Sequence, residues 1–284
     1  MEGLRRSNSG SGTELFAALG CRVDDIPAMA SAQIGLALGP LSSQSVKESS
    51  DVVLTEASLQ PFLRAVAIGR AFYRNLRRFL VFQAVTNFLI LGINLLSPLL
   101  GLGFPLTVLQ MLWIQFILDT VTALALATEA PDPDILDRPP SDVTEPLLTW
   151  AMGRVILAQS VLVLAGFLGL LAIIHSVAPG TPHSHSVLFS AFVFLIFWVL
   201  WTSRWLGTKN PHANRAWDNP WYIWMAACIV FGQMLIVQTG GSLFQTAPLT
   251  GFEWFGLFAG TGLYVWLGGA LLEGNAAKPA IGTM

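Results

Sequence analysis

The stretch that decides the fold is PLTVLQMLWIQFILDTVTALALA, residues 105–127, in which Asp119 is the only charged side chain. A membrane-spanning helix needs about 20 consecutive, mainly apolar residues, so this stretch is long enough to cross a bilayer. The chain contains five other stretches of this kind. The six predicted spans lie at about 79–100, 105–127, 155–175, 187–206, 221–239 and 253–272. The sequence therefore predicts a predominantly α fold, a six-helix transmembrane bundle.

The composition agrees with a membrane protein. Of the 284 residues, 54% are hydrophobic and only 11% are charged, whereas a soluble domain is about 25% charged. The net charge is −2, so there is no basic excess to attract nucleic acid. Membrane lipid is the expected surrounding partner, and no nucleic-acid partner is expected.

The basic residues predict the orientation of the bundle. Nine of the 15 Lys and Arg residues precede the first span. The loops at 101–104, 176–186 and 240–252 contain none. Loops rich in Lys and Arg remain on the cytosolic side of a membrane. We therefore expect a multi-pass protein with both termini in the cytosol, in the plasma membrane or an internal membrane.

The N-terminal part has a different organisation. Residues 1–13 are Ser- and Gly-rich and predict a disordered linker. Residues 14–62 contain short apolar runs that end in Gly, which is typical of a partial α/β segment. The transmembrane domain is predicted from 63 to 275, and its first part, 61–78, is a basic helix that continues into the first span. This stalk is either a lever that transmits motion or an anchor attracted to anionic lipid.

Asp119 is the strongest candidate for a functional residue, because a carboxylate deep in a membrane is costly and usually marks an ion path or a partner. Asn87 is nine residues after Arg78, and Asp119 is nine residues before Thr128, so both lie about 13 Å in from the cytosolic face. Gln115 lies one helical turn before Asp119. Carboxylate and amide oxygens are ligands that hard cations such as calcium prefer. The alternatives are a bound cation or proton, and a hydrogen bond to Asn87 that joins two helices.

Three long motifs resemble the P-type calcium-transporting ATPases, and most closely their plasma-membrane, calmodulin-regulated type. Residues 109–140, LQMLWIQFILDTVTALALATEAPDPDILDRPP, resemble the sixth span and the loop that follows it. Residues 48–87 resemble the end of the phosphorylation domain, the stalk and the fifth span. Residues 219–249 resemble the ninth span and its outer loop. The resemblance implies that the six spans are the fifth to tenth of a ten-span calcium translocase.

The resemblance also implies roles for individual residues. Asn87 and Asp119 fall on cation-ligand positions of the family, and Gln115 stands where an Asn ligand is expected. The family hinge motif TGDGxND aligns with ALGCRVDD at residues 18–25. Cys21 replaces its first Asp and Asp24 its Asn, so only Asp25 remains at an acidic position. No catalytic residue is therefore expected in this chain.

The expected function is calcium transport as the C-terminal membrane part of such a pump. Phosphoryl transfer needs a nucleophile, a metal and a nucleotide positioned together, and the DKTGT motif is absent. Magnesium and ATP would therefore be used only by a complete family member, and this chain is expected to be inactive in ATP hydrolysis by itself. Two alternatives stay open: a non-enzymatic membrane partner of an intact pump, with self-association as a variant, and a passive cation pathway.

Overall fold

A computed structural model describes residues 16–131, 133–137, 145–203 and 219–275 of the chain. The side chains of residues 118–119, 133 and 271–275 lie outside this description, as does the predicted linker at 1–13. The described residues form two compact units. One contains the residues up to Ala71 together with those from Pro133 to Glu145, and the other contains the remainder. The predicted domain boundary at 62–63 stays a prediction.

The first unit contains a three-stranded parallel sheet in the order β1-β2-β3, formed by β1 (Ala17–Gly20), β2 (Ile34–Leu38) and β3 (Val52–Leu54). Two short helices, α1 (Ile26–Ser31) and α2 (Gln44–Glu48), connect the strands. Parallel strands require such crossovers. The predicted partial α/β segment is thereby confirmed at the level of secondary structure.

A small apolar cluster holds this sheet and its helices together. It consists of Ala18, Met29, Ala37 and Val46, each at most 7% exposed. These side chains come from β1, α1, β2 and α2 respectively, so every layer contributes to it. The central strand β2 contributes the fully buried Ala37, as expected where a parallel strand is covered on both faces.

Seven further α-helices follow the sheet among the described residues. Five of them are long and apolar enough to cross a membrane by length and composition. The predicted span at 253–272 lies within α9, a 25-residue helix that is not among these five, so the sixth crossing stays a prediction. The helices are α3 (Gln60–Leu99), α4 (Val108–Ala127), α5 (Trp150–Val177), α6 (Pro182–Ser203), α7 (Pro220–Thr239), α8 (Gly241–Phe244) and α9 (Gly251–Asn275).

The stalk and the first predicted span form one continuous helix. α3 is 40 residues long and runs from Gln60 to Leu99 without interruption. This confirms the prediction that the basic segment 61–78 continues as a helix into the first span. The predominantly α fold is likewise confirmed.

The core of the second unit is built around α6. In its apolar window 78% of the residues are buried, against 25–33% in the other four candidate spans. A helix that is hydrophobic all round belongs in the centre of a bundle. Its aromatic side chains interlock with its neighbours: Phe192 meets Phe167 of α5 at 5.4 Å between ring centroids, and Phe194 meets Phe258 of α9 at 5.2 Å. Both pairs have the edge-to-face geometry that aromatic rings prefer.

A close approach joins α5 to α9. The Tyr264 hydroxyl of α9 donates a hydrogen bond to the carbonyl oxygen of Leu162 at 2.8 Å. The ring then lies directly over Gly166, where an added Cβ would overlap it. Gly169, on the same helix, has no other group within 4 Å of an added Cβ among the described residues. The contact between Tyr264 and α5 therefore requires a glycine at position 166.

We predict that Gly166→Ala lowers the thermal stability of the purified protein, whereas Gly169→Ala leaves it unchanged or raises it. Alanine favours a helix over glycine by about 1 kcal/mol at either position, but overpacking at Gly166 costs about 1–3 kcal/mol. Thermal unfolding in detergent, followed by tryptophan fluorescence, measures the difference. Equal melting temperatures for the two variants would contradict this account of the α5–α9 contact.

Candidate cation site

The predicted cation ligands lie on α3 and α4. Asn87 on α3 is exposed, whereas the nearby Val85 and Leu89 are fully buried. Gln115 on α4 is half-buried. Asp119 lies one helical turn after Gln115, and its side chain is outside the described part of the chain. The structure thus gives the position of all three residues along their helices and the surroundings of two.

Two side-chain contacts fix how α3 and α4 run past each other. Near the hairpin at 101–104, Asn94 Nδ2 lies 3.6 Å from Met111 Sδ. At the opposite end, Asn75 Nδ2 donates to the carbonyl oxygen of Glu129 at 3.0 Å. The chain from Asn75 to Asn94 is longer by a single residue than the chain from Met111 to Glu129. The helices are therefore antiparallel, with nearly the same rise between the two contacts.

This register places Asn87 close to the level of Asp119. Asn87 lies seven residues before Asn94, and Leu118 lies seven residues after Met111. The difference of one residue along α4 is about 1.5 Å. The register agrees with the depth argued from the sequence. A direct approach of Asn87 to Asp119 stays a prediction, because Asn87 is exposed and the Asp119 side chain is outside the description.

Gln115 carries an unusual oxygen atom. Its Oε1 is enclosed, and no described residue donates a hydrogen bond to it. The same holds for Oε1 of Gln83 on α3 and the hydroxyl of Thr122 on α4. Sequence reasoning missed these two residues. The available signal was spacing, because Gln83 lies four residues before Asn87 and Thr122 three residues after Asp119, which places each pair on one helix face.

The side of α4 that lies opposite Gln115 contacts α7. Trp113 Nε1 donates to Gln233 Oε1 at 3.2 Å, and Gln233 Nε2 in turn contacts Ser190 Oγ of α6 at 3.5 Å. Such polar contacts join helices inside a membrane. Gln115 lies two residues after Trp113, about 200° further round the helix. The rotation of α4 therefore directs Gln115 away from α7.

The stalk arginines at the start of the second unit are buried. Arg77 and Arg78 are only 7% and 2% exposed. Arg77 donates from Nε to the carbonyl oxygen of Leu147 at 3.0 Å and from Nη2 to that of Pro146 at 3.3 Å. Its guanidinium carbon also lies 5.4 Å from the centre of the Tyr73 ring. Arg77 therefore binds the connection before α5, and little of either arginine is left for lipid headgroups.

The segment at residues 18–25, which resembles the family hinge motif, has a clear local structure. Cys21 follows β1, and Val23–Asp25 form a 3-10 turn before α1. Asp25 Oδ2 accepts hydrogen bonds from the backbone N–H groups of Arg22 at 2.9 Å and Cys21 at 3.0 Å. These bonds, first that from Arg22 and then that from Cys21, hold the pKa of Asp25 below its usual value. Asp24 is exposed, and Cys21 contacts Asp25 through its backbone N–H group.

Apart from Asp119, the predicted cation donors on α3 and α4 are neutral oxygens. No group of three or more His, Cys, Asp and Glu residues is placed to hold a metal ion within the described ranges. Amide and hydroxyl oxygens suit a hard cation that also keeps water ligands, such as calcium, rather than a transition metal.

Comparison with known proteins agrees with the architecture. Residues 103–272 match the model of the family described as Cation transporting ATPase, C-terminus. The chain is 31% identical over 274 residues, 94% of its length, to Calcium-transporting ATPase 8, plasma membrane-type, of Arabidopsis thaliana. It is 30% identical over 281 residues to Plasma membrane calcium-transporting ATPase 3 of Homo sapiens, again over 94% of its length.

The match covers only part of each relative. The chain spans 25% of the Arabidopsis protein and 23% of the human one, about a quarter of their length. The matched family model describes the C-terminal region, and five described helices are long and apolar enough to cross a membrane. The chain therefore belongs to the cation-transporting P-type ATPases and corresponds to the C-terminal membrane region of their plasma-membrane-type calcium pumps.

Proposed function

We propose that this chain forms part of a calcium-translocation pathway in which Asn87, Gln115 and Asp119 are cation ligands. The observation that carries the proposal is the enclosed Gln115 Oε1, which no described residue satisfies and which lies one turn before Asp119. An enclosed oxygen that accepts no hydrogen bond is costly unless it binds another group. A calcium ion can be that group, and its charge offsets that of the Asp119 carboxylate.

The longer arm of Gln115 has a consequence for the cation. The resemblance places an Asn ligand at this position, and Gln keeps the amide oxygen but adds one methylene group. Calcium accepts six to eight oxygens in flexible geometry, so it tolerates a displaced amide ligand. Magnesium requires a nearly ideal octahedron and releases its water reluctantly. The proposed site therefore favours calcium over magnesium.

The proposal includes an orientation. The arginine-bearing end of α3 and the connection between α4 and α5 lie on the cytosolic side, and the hairpin at 101–104 lies on the opposite side. The support is the complete absence of Lys and Arg from the loops at 101–104, 176–186 and 240–252.

We predict that the full chain in lipid nanodiscs binds calcium and that Asp119→Asn abolishes this binding. Removing the carboxylate removes the only charged ligand in the proposed set, so the affinity falls by about a hundredfold or more. Equilibrium dialysis with radioactive calcium measures it. Glu253→Gln is the matched control, because it makes the same chemical change at the start of α9, where Glu253 contacts His183 and Thr250.

The calcium experiment also separates the alternatives. If the chain acts only as a membrane partner of an intact pump, it binds no calcium alone and Asp119→Asn changes nothing. If it is a passive cation pathway, calcium enters liposomes that contain it without ATP, and Asp119→Asn stops that entry. Binding without such a flux supports the translocation-site proposal.

We also propose that this chain does not form a phosphoenzyme by itself. It contains no DKTGT motif, and of the hinge acids only Asp25 remains, with its carboxylate held by two backbone N–H groups. We predict that purified protein incubated with radioactive ATP, magnesium and calcium yields no acid-stable labelled band. A labelled band that requires calcium would overturn this proposal.

The orientation predicts which cysteine reporters react with a membrane-impermeant thiol reagent. In a Cys21→Ser, Cys228→Ser background, Phe104→Cys in the hairpin is expected to react in intact cells. Ala130→Cys, after α4, is expected to react only after permeabilisation. Both parent side chains are exposed, so accessibility reports the side of the membrane. The reverse pattern would show that the orientation is inverted.

A further inference from the structure

Enclosed oxygen atoms without a hydrogen-bond partner are concentrated on the α3–α4 pair. Seven such side-chain oxygens occur among the described residues, and five of them belong to these two helices. The other two are on Ser160 and Thr246. A helix pair in a membrane normally satisfies its polar groups across the interface. The five oxygens are Asn75 Oδ1, Gln83 Oε1, Ser97 Oγ, Gln115 Oε1 and Thr122 Oγ1.

Gln83 and Thr122 lie at the same level of this pair. Gln83 precedes Asn94 by about three helical turns, and Thr122 follows Met111, which Asn94 contacts, by the same length of helix. Counted from the contact between Asn75 and Glu129 at the other end, Gln83 and Thr122 again lie at the same level, to within one residue. Thr122 is fully buried, and its hydroxyl oxygen is enclosed. The register thus brings two enclosed oxygens to one depth on neighbouring helices.

Neither oxygen satisfies the other. Within the described residues, neither the Thr122 hydroxyl nor Gln83 Oε1 makes a hydrogen bond, so these two atoms do not join the helices. Both oxygens therefore lack a partner at one level of α3 and α4, so each can bind a group that enters between the two helices. A cation with some of its water ligands is such a group, because each neutral oxygen can replace one water molecule.

The pair lies on the approach to the proposed ligands. Gln83 is one turn before Asn87 on α3, and Thr122 is nearly one turn after Asp119 on α4. Both steps lead toward the end of the bundle that carries Arg77. A cation that moves between that end and Asp119 along α3 and α4 would therefore pass Gln83 and Thr122. Because neither residue is charged, the pair would hold a cation only weakly.

We propose that Gln83 and Thr122 form a staging position at which a partly hydrated calcium ion pauses on its way to and from Asn87 and Asp119. This inference rests on the proposed function. The two oxygens stabilise the ion in transit rather than in its final site. They therefore accelerate calcium entry and release together and leave the equilibrium affinity unchanged.

The test compares the rates and the equilibrium of calcium binding by the full chain in phosphatidylcholine nanodiscs. The release rate is measured by rapid mixing of calcium-loaded protein with a fluorescent chelator, and the Kd by equilibrium dialysis. Gln83→Leu and Thr122→Val are expected to slow release by about fivefold or more, with the Kd unchanged within about twofold. Gln83→Asn and Thr122→Ser keep an oxygen and are expected to retain faster exchange than the apolar variants.

Thr261→Val is the matched control for Thr122→Val. The Thr261 hydroxyl donates only within α9, to the carbonyl oxygens of Leu257 and Phe258, so its loss should leave calcium exchange unchanged. Release as fast as that of the wild type in both apolar variants overturns the staging position. A changed Kd with an unchanged release rate overturns it as well, because it would place these residues in the final site or in the scaffold.

Failure of the staging position is distinguishable from failure of the proposed function. If the wild type binds no calcium, the proposed function and the staging position both fail. If the wild type binds calcium and Asp119→Asn abolishes that binding, the proposed function stands. Unchanged release in Gln83→Leu and Thr122→Val then refutes the staging position alone.

Discussion

The structure depends on one constraint: inside a hydrocarbon layer, a polar group must find its partner within the protein. The second unit meets this constraint with a few interhelical contacts. Trp113, Gln233 and Ser190 connect α4 to α7 and α6, and Tyr264 connects α9 to α5. The helices also pack through apolar and aromatic side chains around the buried α6. Against this background, five of the seven unsatisfied side-chain oxygens among the described residues lie on α3 and α4, and the proposed function rests on one of them, Gln115 Oε1.

Polar side-chain contacts also hold the register of α3 and α4. Their contacts lie at the two ends of the pair, at Asn94 with Met111 and at Asn75 with Glu129. The part between them, which contains the proposed ligands and the staging position, is not closed by hydrogen bonds between the described side chains of the two helices. Because α3 and α4 are joined at both ends, their side-chain oxygens stay at defined levels and remain free to bind an ion. This arrangement agrees with the proposed transport site, in which the oxygens must bind an ion favourably and still release it.

The sequence was sufficient for features that depend on local composition. The apolar stretches predict five of the candidate spans, and the unbroken segment 61–78 predicts the stalk helix, because length and periodicity decide both. Properties that depend on neighbouring helices were not accessible in this way. The exposure of Asn87 and the burial of Arg77 follow from tertiary packing, and Thr122 is a residue that any membrane helix can contain. Only the register between α3 and α4 reveals what lies level with Thr122.

The segment that resembles the family hinge motif shows how fold and chemistry can separate within one motif. Asp25 is the acid that this chain keeps. Its carboxylate accepts hydrogen bonds from the backbone N–H groups of Arg22 and Cys21, and these bonds stabilise the turn after β1. Its lowered pKa reflects these bonds, which favour the ionised form, and their contribution to stability is lost as the pH falls through that pKa. Asp24 is exposed, and Cys21 takes part through its backbone, so neither side chain is needed for the turn. Cys21 and Asp24, which differ from the family motif that this segment resembles, therefore stand at positions where the fold makes no demand on the side chain. The position that the fold does constrain has kept its acid, which argues that folding, rather than phosphoryl transfer, accounts for Asp25 in this chain.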